Sequence, residues 1–298
     1  LLDFGLWLVL LAGTGWLAVA SWGSWWAVPA FLVYGTIWSS ADARWHECGH
    51  ATVFRTRWLN EFFYHVSSYM TLREAHLWRW SHARHHTHTI IKGRDPEIQV
   101  RRPADLLAIL LDFCHLKGGP GELRKIFAHA LGLIDDEVKD YVPVSERPKM
   151  IRSSRIYAAI ILGCTVWSIA AWSPLPLLLF VLPRFYGGWL HQLLGLTQHA
   201  GLAENVDDHR LNTRTVLINP VFRYLYMNMN YHLEHHMYPM VPFHRLPELH
   251  ARIRDELPPA YPSLWAAYRE IVPALLRQAR DPDYYVVREL PAAPGAAA

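Results

Sequence analysis

Charge is what this sequence has least of. Only 18% of its 298 residues are Asp, Glu, Lys or Arg, against about 25% in soluble domains. Hydrophobic residues make up 52%, the opposite of the balance that keeps a chain disordered. Cysteine is scarce: Cys48, Cys114 and Cys164 stand far apart, with no CxxC pair. That excludes a disulfide framework, and it leaves no iron–sulfur or rubredoxin spacing. The net charge of +3 is too small for a polyanionic partner such as nucleic acid. Rings are abundant instead. The chain has 14 Trp and 14 Tyr, residues that favour membrane interfaces, and it has 18 His. Mean hydropathy is only +0.03, so a polar part must offset whatever lies in lipid. The length suits one large domain or two small ones.

Four uncharged or nearly uncharged apolar runs are long enough to span a bilayer, at about 17 to 25 residues each. They cover about 4–20, 25–41, 156–172 and 175–196, with short breaks at 21–24 and 173–174, and so predict two helical hairpins. The first run lacks a basic leader and a second follows at once, which argues against a signal peptide. The chain starts at Leu1 rather than Met, so an extension ahead of it is left open. Of the 29 Lys and Arg, 18 fall between Asp42 and Arg155 and 10 after Thr197, with none in either hairpin loop. The positive-inside rule then places both termini and the segments 42–155 and 197–290 in the cytoplasm. Arg184 interrupts the fourth run and is expected to make a structural contact. Leu59, Phe62, Phe63, Val66, Tyr69 and Met70 recur at helical spacing and predict a helix lying along the bilayer surface. The stretch 104–116 predicts a short buried or interfacial helix, and the tail 291–298 a disordered end.

The histidines are not scattered. His46 and His50 form HxxxH at the end of the second run; His82, His85 and His86 form HxxHH, with His88 just after. His199 ends the fourth run, and His232, His235 and His236 form a second HxxHH. On a helix, residues i, i+3 and i+4 share a face. These nine imidazoles can therefore converge, and nine suit two metal ions rather than one. By chance HxxHH is expected roughly 0.06 times in such a chain, yet it occurs twice. Imidazole accepts zinc, copper and iron alike, so spacing leaves the metal open. His46, Glu47 and His50 also match the HExxH of zinc peptidases, in which the Glu is the general base. That reading leaves most of the clustered histidines unused. A non-catalytic metal-binding membrane protein is a further alternative.

The three boxes, in this order and with hairpins before and between them, resemble the membrane fatty acid desaturase and hydroxylase superfamily. Supporting the resemblance are Asp95-Pro96-Glu97, Asn228-Met229-Asn230-Tyr231, Tyr238-Pro239-Met240-Val241-Pro242, Leu246-Pro247 and His250. It covers nearly the whole chain and is specific for the superfamily rather than for a substrate. It implies a non-haem di-iron centre that uses O2, with His46, His50, His82, His85, His86, His232, His235 and His236 as ligands. His199 resembles the extra ligand between the second and third boxes, with His191 as its rival. Asn228 or Asn230 is a candidate to hold a metal-bound water, and an Asn near a turn also serves as a cap. Glu47, Glu234, Asp42, Asp95 and Glu97 are candidates to accept the second N–H of ligating rings; His88 is a further neighbour of the site. Cys48, between ligands, points off the ligand face and is expected to pack. His65, His76, His115, His129, His209 and His244 carry no spacing signal.

The expectation is an all-α integral membrane protein: four transmembrane helices in two hairpins, with a cytoplasmic helical cap holding a histidine-ligated di-iron site, in one domain over 1–290. Its expected reaction is oxygen-dependent desaturation of an acyl chain or related lipid, with hydroxylation by the same centre as the alternative. With no redox spacing of its own, the chain would take electrons from a ferredoxin, rubredoxin or cytochrome-type carrier. Arg55, Arg57, Arg101 and Arg102 offer a basic face to such a carrier or to lipid headgroups.

Overall fold

The structure, a computed structural model, describes residues 2–291. The expected disordered tail, apart from Pro291, lies outside them. Among the described residues the named elements are all helices, with two isolated β-bridges and no named strand. In chain order the α-helices are α1 (Leu2–Ala20), α2 (Ala27–Ser39), α3 (Ala41–Gly49), α4 (Arg57–Met70), α5 (Ala75–Thr87) and α6 (Leu106–Leu111). Next come α7 (Gly118–Ala130), α8 (Asp136–Tyr141), α9 (Arg147–Ala170), α10 (Leu175–Phe180), α11 (Pro183–Gly187) and α12 (Trp189–His199). The last are α13 (His209–Asn212), α14 (Pro220–Leu225), α15 (His232–Met237), α16 (Leu246–Ile253) and α17 (Leu264–Gln278).

Two of these, α1 and α9, are long and apolar enough to cross a membrane. The second and fourth runs take a different form. Helix α2 has 13 residues, with Ser40 between it and α3. The fourth run is divided into α10, α11 and α12. Pro183, which has no N–H to donate, opens α11, and Gly188 follows its end. Most of the third run, up to Ala170, lies within α9, which begins earlier, at Arg147, behind a turn in which Glu146 N donates to Pro143 O at 2.9 Å.

The contacts fall into two units, each assembled from three stretches. One comprises 1–49, 54–80 and 110–192; the other comprises 50–53, 81–109 and 193–298. In the first unit α2 packs against α1 and α11. A Cβ on Gly187 would lie 1.9 Å from the carbonyl carbon of Gly35, so the two backbones meet only because Gly187 has no side chain. Indole and phenol groups satisfy buried carbonyls there: Trp38 Nε1 donates to Met70 O at 2.7 Å and Tyr34 OH to Leu179 O at 2.7 Å. Helix α9 packs on α7 and α10 around Ile126, Tyr157, Ile161 and Val181. Outward, the hairpin and α9 expose Val9, Trp16, Trp25, Val166 and Trp167, and so much exposed apolar surface marks an interaction with lipid or protein.

Helix α4 inverts the pattern of a soluble helix. Asn60, Ser67 and Ser68 are buried, while Trp58, Phe62 and Val66 are exposed. Asn60 can be buried because its amide exchanges hydrogen bonds with the Phe54 backbone, at 3.1 Å and 2.7 Å.

The expected contact of Arg184 is clear. Its Nη2 lies 2.7 Å from Asp42 Oδ2, and Asp42 also meets Arg73 Nη1 at 2.8 Å and His191 Nε2 at 3.3 Å. Burial pushes the Asp42 carboxyl up, but the charges of Arg73, His191 and Arg184 outweigh it and hold the group well below the usual carboxylate range.

In the second unit, α15 packs against α13 and α16. Tyr238-Pro239 stops α15, since a residue before proline disfavours the helical region.

Candidate metal centre

Helices deliver the histidines of the second unit. His82, His85 and His86 share one face of α5, His232, His235 and His236 one face of α15, and His199 is the last residue of α12. His50 lies just past the end of α3. Their ring nitrogens form two sets. In the first set, His50, His82, His86 and His235 bring ligand atoms within 4.8 Å of one another. In the second, His85, His199, His232 and His236 do the same. The ring of His86 stacks on that of His236 at 4.4 Å, so the sets share a wall.

The Nε2 atoms make short chains. His50–His82, His82–His86 and His86–His235 are each 3.1 Å apart in the first set. His199–His232 and His232–His236 are each 3.1 Å apart in the second. Converging nitrogens cannot all satisfy one another, because a neutral imidazole offers one donor and one acceptor. Two nitrogens at about 2.1 Å from one ion, at right angles, stand about 3.0 Å apart. The sets thus fit metal ions.

Protonation agrees. Burial first, then the neighbouring His82 and His85, pushes His50 down to about 3. Burial and His85 likewise push His199 down to about 3. Burial and neighbouring imidazoles put His86, His232, His235 and His236 well below the usual range. These rings are neutral at pH 7 and keep lone pairs for a cation.

Five of the opposite nitrogens are held. His82 Nδ1 lies 3.1 Å from Glu97 and His85 Nδ1 2.8 Å from Asp95. Asp95 also accepts from Ile90 N and Glu97 N, so it shapes the loop as well. His199 Nδ1 donates to Asn212 O at 2.8 Å, His236 Nδ1 lies 3.1 Å from Thr89 Oγ1, and His232 Nδ1 lies 3.2 Å from Met229 Sδ. Thr89 and Asn212 carry no spacing signal, and neither does His209, whose ring lies 5.2 Å from that of His236. Only chain folding brings these three here.

Other candidates have different surroundings. Glu234 is buried, but its carboxylate takes the Thr215 hydroxyl at 2.5 Å and pairs with His250, not with a clustered imidazole. Asn228 Nδ2 donates to Phe243 O. Asn230 Nδ2 donates to Val216 O, and its Oδ1 is buried without a hydrogen-bond partner among the described residues. His88 is half-buried beyond the end of α5. His191 and Asp42 sit in the ion cluster of the first unit.

His46 and Glu47 lie in α3, in the first unit. The Glu47 carboxylate is 3.3 Å from His46 Nδ1, so it braces the ring from behind, where a peptidase would aim its base at the metal side. Cys48 is buried, and burial pushes its thiol up, as befits packing rather than ligation.

Comparison with known proteins points the same way. Over 82 residues the chain is 32% identical to the sn-1 oleoyl-lipid 12-desaturase of Arthrospira platensis, covering 27% of this chain and 23% of that protein. Over 74 residues it is 39% identical to the sn-1 acyl-lipid omega-3 desaturase (ferredoxin) of Nostoc sp. (strain 36), covering 24% and 21%. The chain thus spans less than a quarter of the length of these relatives. The fatty acid desaturase family model reaches much further, matching residues 23–268. That match takes in all three histidine boxes and His199, and the chain belongs to the fatty acid desaturase family.

Proposed function

We propose that this protein is a membrane-embedded di-iron oxidoreductase that desaturates the acyl chain of a lipid. The observation that carries the reading is the pair of all-nitrogen sets with Nε2 spacings of 3.1 Å. His50, His82, His86 and His235 would hold one iron ion, and the HxxxH spacing makes His46, one helical turn ahead of His50, a further candidate ligand. His85, His199, His232 and His236 would hold the other, and Asn230, whose Oδ1 is buried without a hydrogen-bond partner among the described residues, is a candidate to hold a water for the centre. Two irons bound in this way supply oxygen activation and the oxidation of an unactivated C–H bond.

The chain's own residues do the rest. Glu47, Glu97 and Asp95 fix the planes of His46, His82 and His85, since each carboxylate accepts the proton on the nitrogen facing away from the metal. Burial of the sets keeps bulk water from the reacting carbon. The exposed apolar surfaces of α1 and α9 support contact with lipid. We read the four apolar runs as membrane-crossing segments with the boxes and termini on the cytoplasmic side, as the Lys and Arg distribution favours. A lipid substrate and a ferredoxin-type donor follow the names of the relatives.

The test is to load the purified protein with iron, reduce it with ferredoxin under oxygen, and analyse candidate acyl lipids by mass spectrometry. Loss of two hydrogens supports desaturation, and gain of one oxygen assigns hydroxylation instead. Binding of one zinc ion, with no oxidation, would overturn both.

A further inference from the structure

Box spacing does not explain how the rings of the second set are turned. Thr89 lies two residues past α5 and is buried. Its Oγ1 is 2.8 Å from the carbonyl oxygen of His85 and 3.1 Å from Nδ1 of His236. A hydroxyl has one proton to give. The carbonyl can only accept, so the Thr89 proton goes to His85 O and a lone pair faces His236. His236 must then carry its own proton on Nδ1, which leaves Nε2 as the lone pair aimed at the second set.

His199 is handled in the same way. Its Nδ1 faces Asn212 O at 2.8 Å, an atom that only accepts. Asn212 is fully buried. Its Nδ2 donates to Thr89 O and Val206 O, each at 3.1 Å, and its Oδ1 takes the Thr213 hydroxyl at 2.8 Å. The two acceptors are therefore tied together by the Asn212–Thr89 hydrogen bond.

We propose that Thr89 and Asn212 form a positioning pair that fixes the Nε2-ligating tautomers of His236 and His199, and so sets the affinity of the second metal position. The inference rests on the di-iron reading. Neither residue touches the metal. The first set has a separate support, Glu97 on His82, so the effect should be confined to one of the two ions.

The experiment compares full-length wild type with Thr89→Val, Thr89→Ala and Thr89→Ser. Iron content is measured during titration with a competing chelator, with Mössbauer spectra to separate the two sites, and the metal-free melting midpoint monitors folding. Removing an outer partner typically weakens a metal site about 10–100-fold. Thr89→Val and Thr89→Ala are expected to keep one ion at wild-type affinity and to lose the second that much more readily. Thr89→Ser, which keeps the hydroxyl, should retain both. Two ions held at wild-type affinity in Thr89→Val overturns the proposal. So does a parallel loss of both ions in all three variants with a lowered metal-free midpoint, which would show a purely structural role. If wild type itself does not bind two ions, the di-iron reading fails instead.

Discussion

The histidine centre of the second unit and the Asp42 cluster of the first both bury many polar atoms, but they offset the cost of burial in opposite ways. Around Asp42 the groups stay charged, and Arg73, Arg184 and the carboxylate satisfy one another directly. Around the boxes six of the rings, those of His50, His86, His199, His232, His235 and His236, are neutral, because imidazole can shed its proton where arginine cannot. Their inward nitrogens are left facing one another at 3.1 Å. The first arrangement pairs opposite charges already present; the second calls for cations. A buried ion pair and a buried metal site can thus be told apart by whether opposite charges already face one another.

The largest effect that tests this contrast should come from the ligands. His85→Ala or His235→Ala is expected to empty one metal position and to lower lipid oxidation at least about 100-fold, beyond the range for outer partners. Iron analysis beside the product assay checks it, and undiminished oxidation with an emptied site would remove the catalytic role.

Asp42→Asn should act on stability instead. It leaves Arg184 buried, and Arg73 partly buried, without their counter-charge, a change that costs about 3–5 kcal/mol. Denaturant midpoints should fall while the folded fraction still binds iron. Equal loss of metal and stability would erase the distinction between the clusters.

Glu74 gives a third, smaller test, since it is a buried carboxyl in the first unit that takes the neutral route. Burial pushes it up to about 8, although it accepts hydrogen bonds from His76 N and Leu77 N. Its folded pKa is raised, so the folded state holds the proton longer. Its contribution is full below about 4.5 and is lost as pH rises towards about 8. Thermal midpoints should therefore decline across that window, by an amount equivalent to a few kcal/mol at most, and Glu74→Gln should flatten the decline. A slope unchanged in Glu74→Gln would count against a neutral Glu74.

The smallest effect is expected at the exposed pair Arg245–Glu248. Arg245→Ala should leave the melting midpoint unchanged within error, because solvent already screens such pairs. A shift as large as that of Asp42→Asn would mean that burial is not what separates these clusters.

Much of this was legible in the sequence because it depends on local periodicity. The i, i+3, i+4 pattern of His82, His85 and His86, and of His232, His235 and His236, marks a shared helical face whatever the rest of the chain does. The apolar run at 4–20 likewise marked α1, since length and hydrophobicity are local properties. The divided fourth run was less legible. Pro183 and Gly188 lie within it, but such residues are tolerated inside membrane helices when neighbours satisfy the freed backbone groups. Helix α4 could be read for its apolar stripe, but not for the burial of Asn60, which depends on Phe54.

By itself, then, the sequence determined that the chain is helical, that it has apolar runs of membrane length and that its histidines are grouped on helical faces. Each follows from residues a few positions apart. Only the tertiary structure decided which histidines share a set, because His86 and His235 are 149 positions apart and meet through folding alone. It also decided that Asp42 and His191 belong to an ion cluster, that Glu234 serves His250, and that Thr89 and Asn212 reach His236 and His199. Hydrogen bonds act over about 3 Å, so such partnerships exist only once distant segments have been brought together.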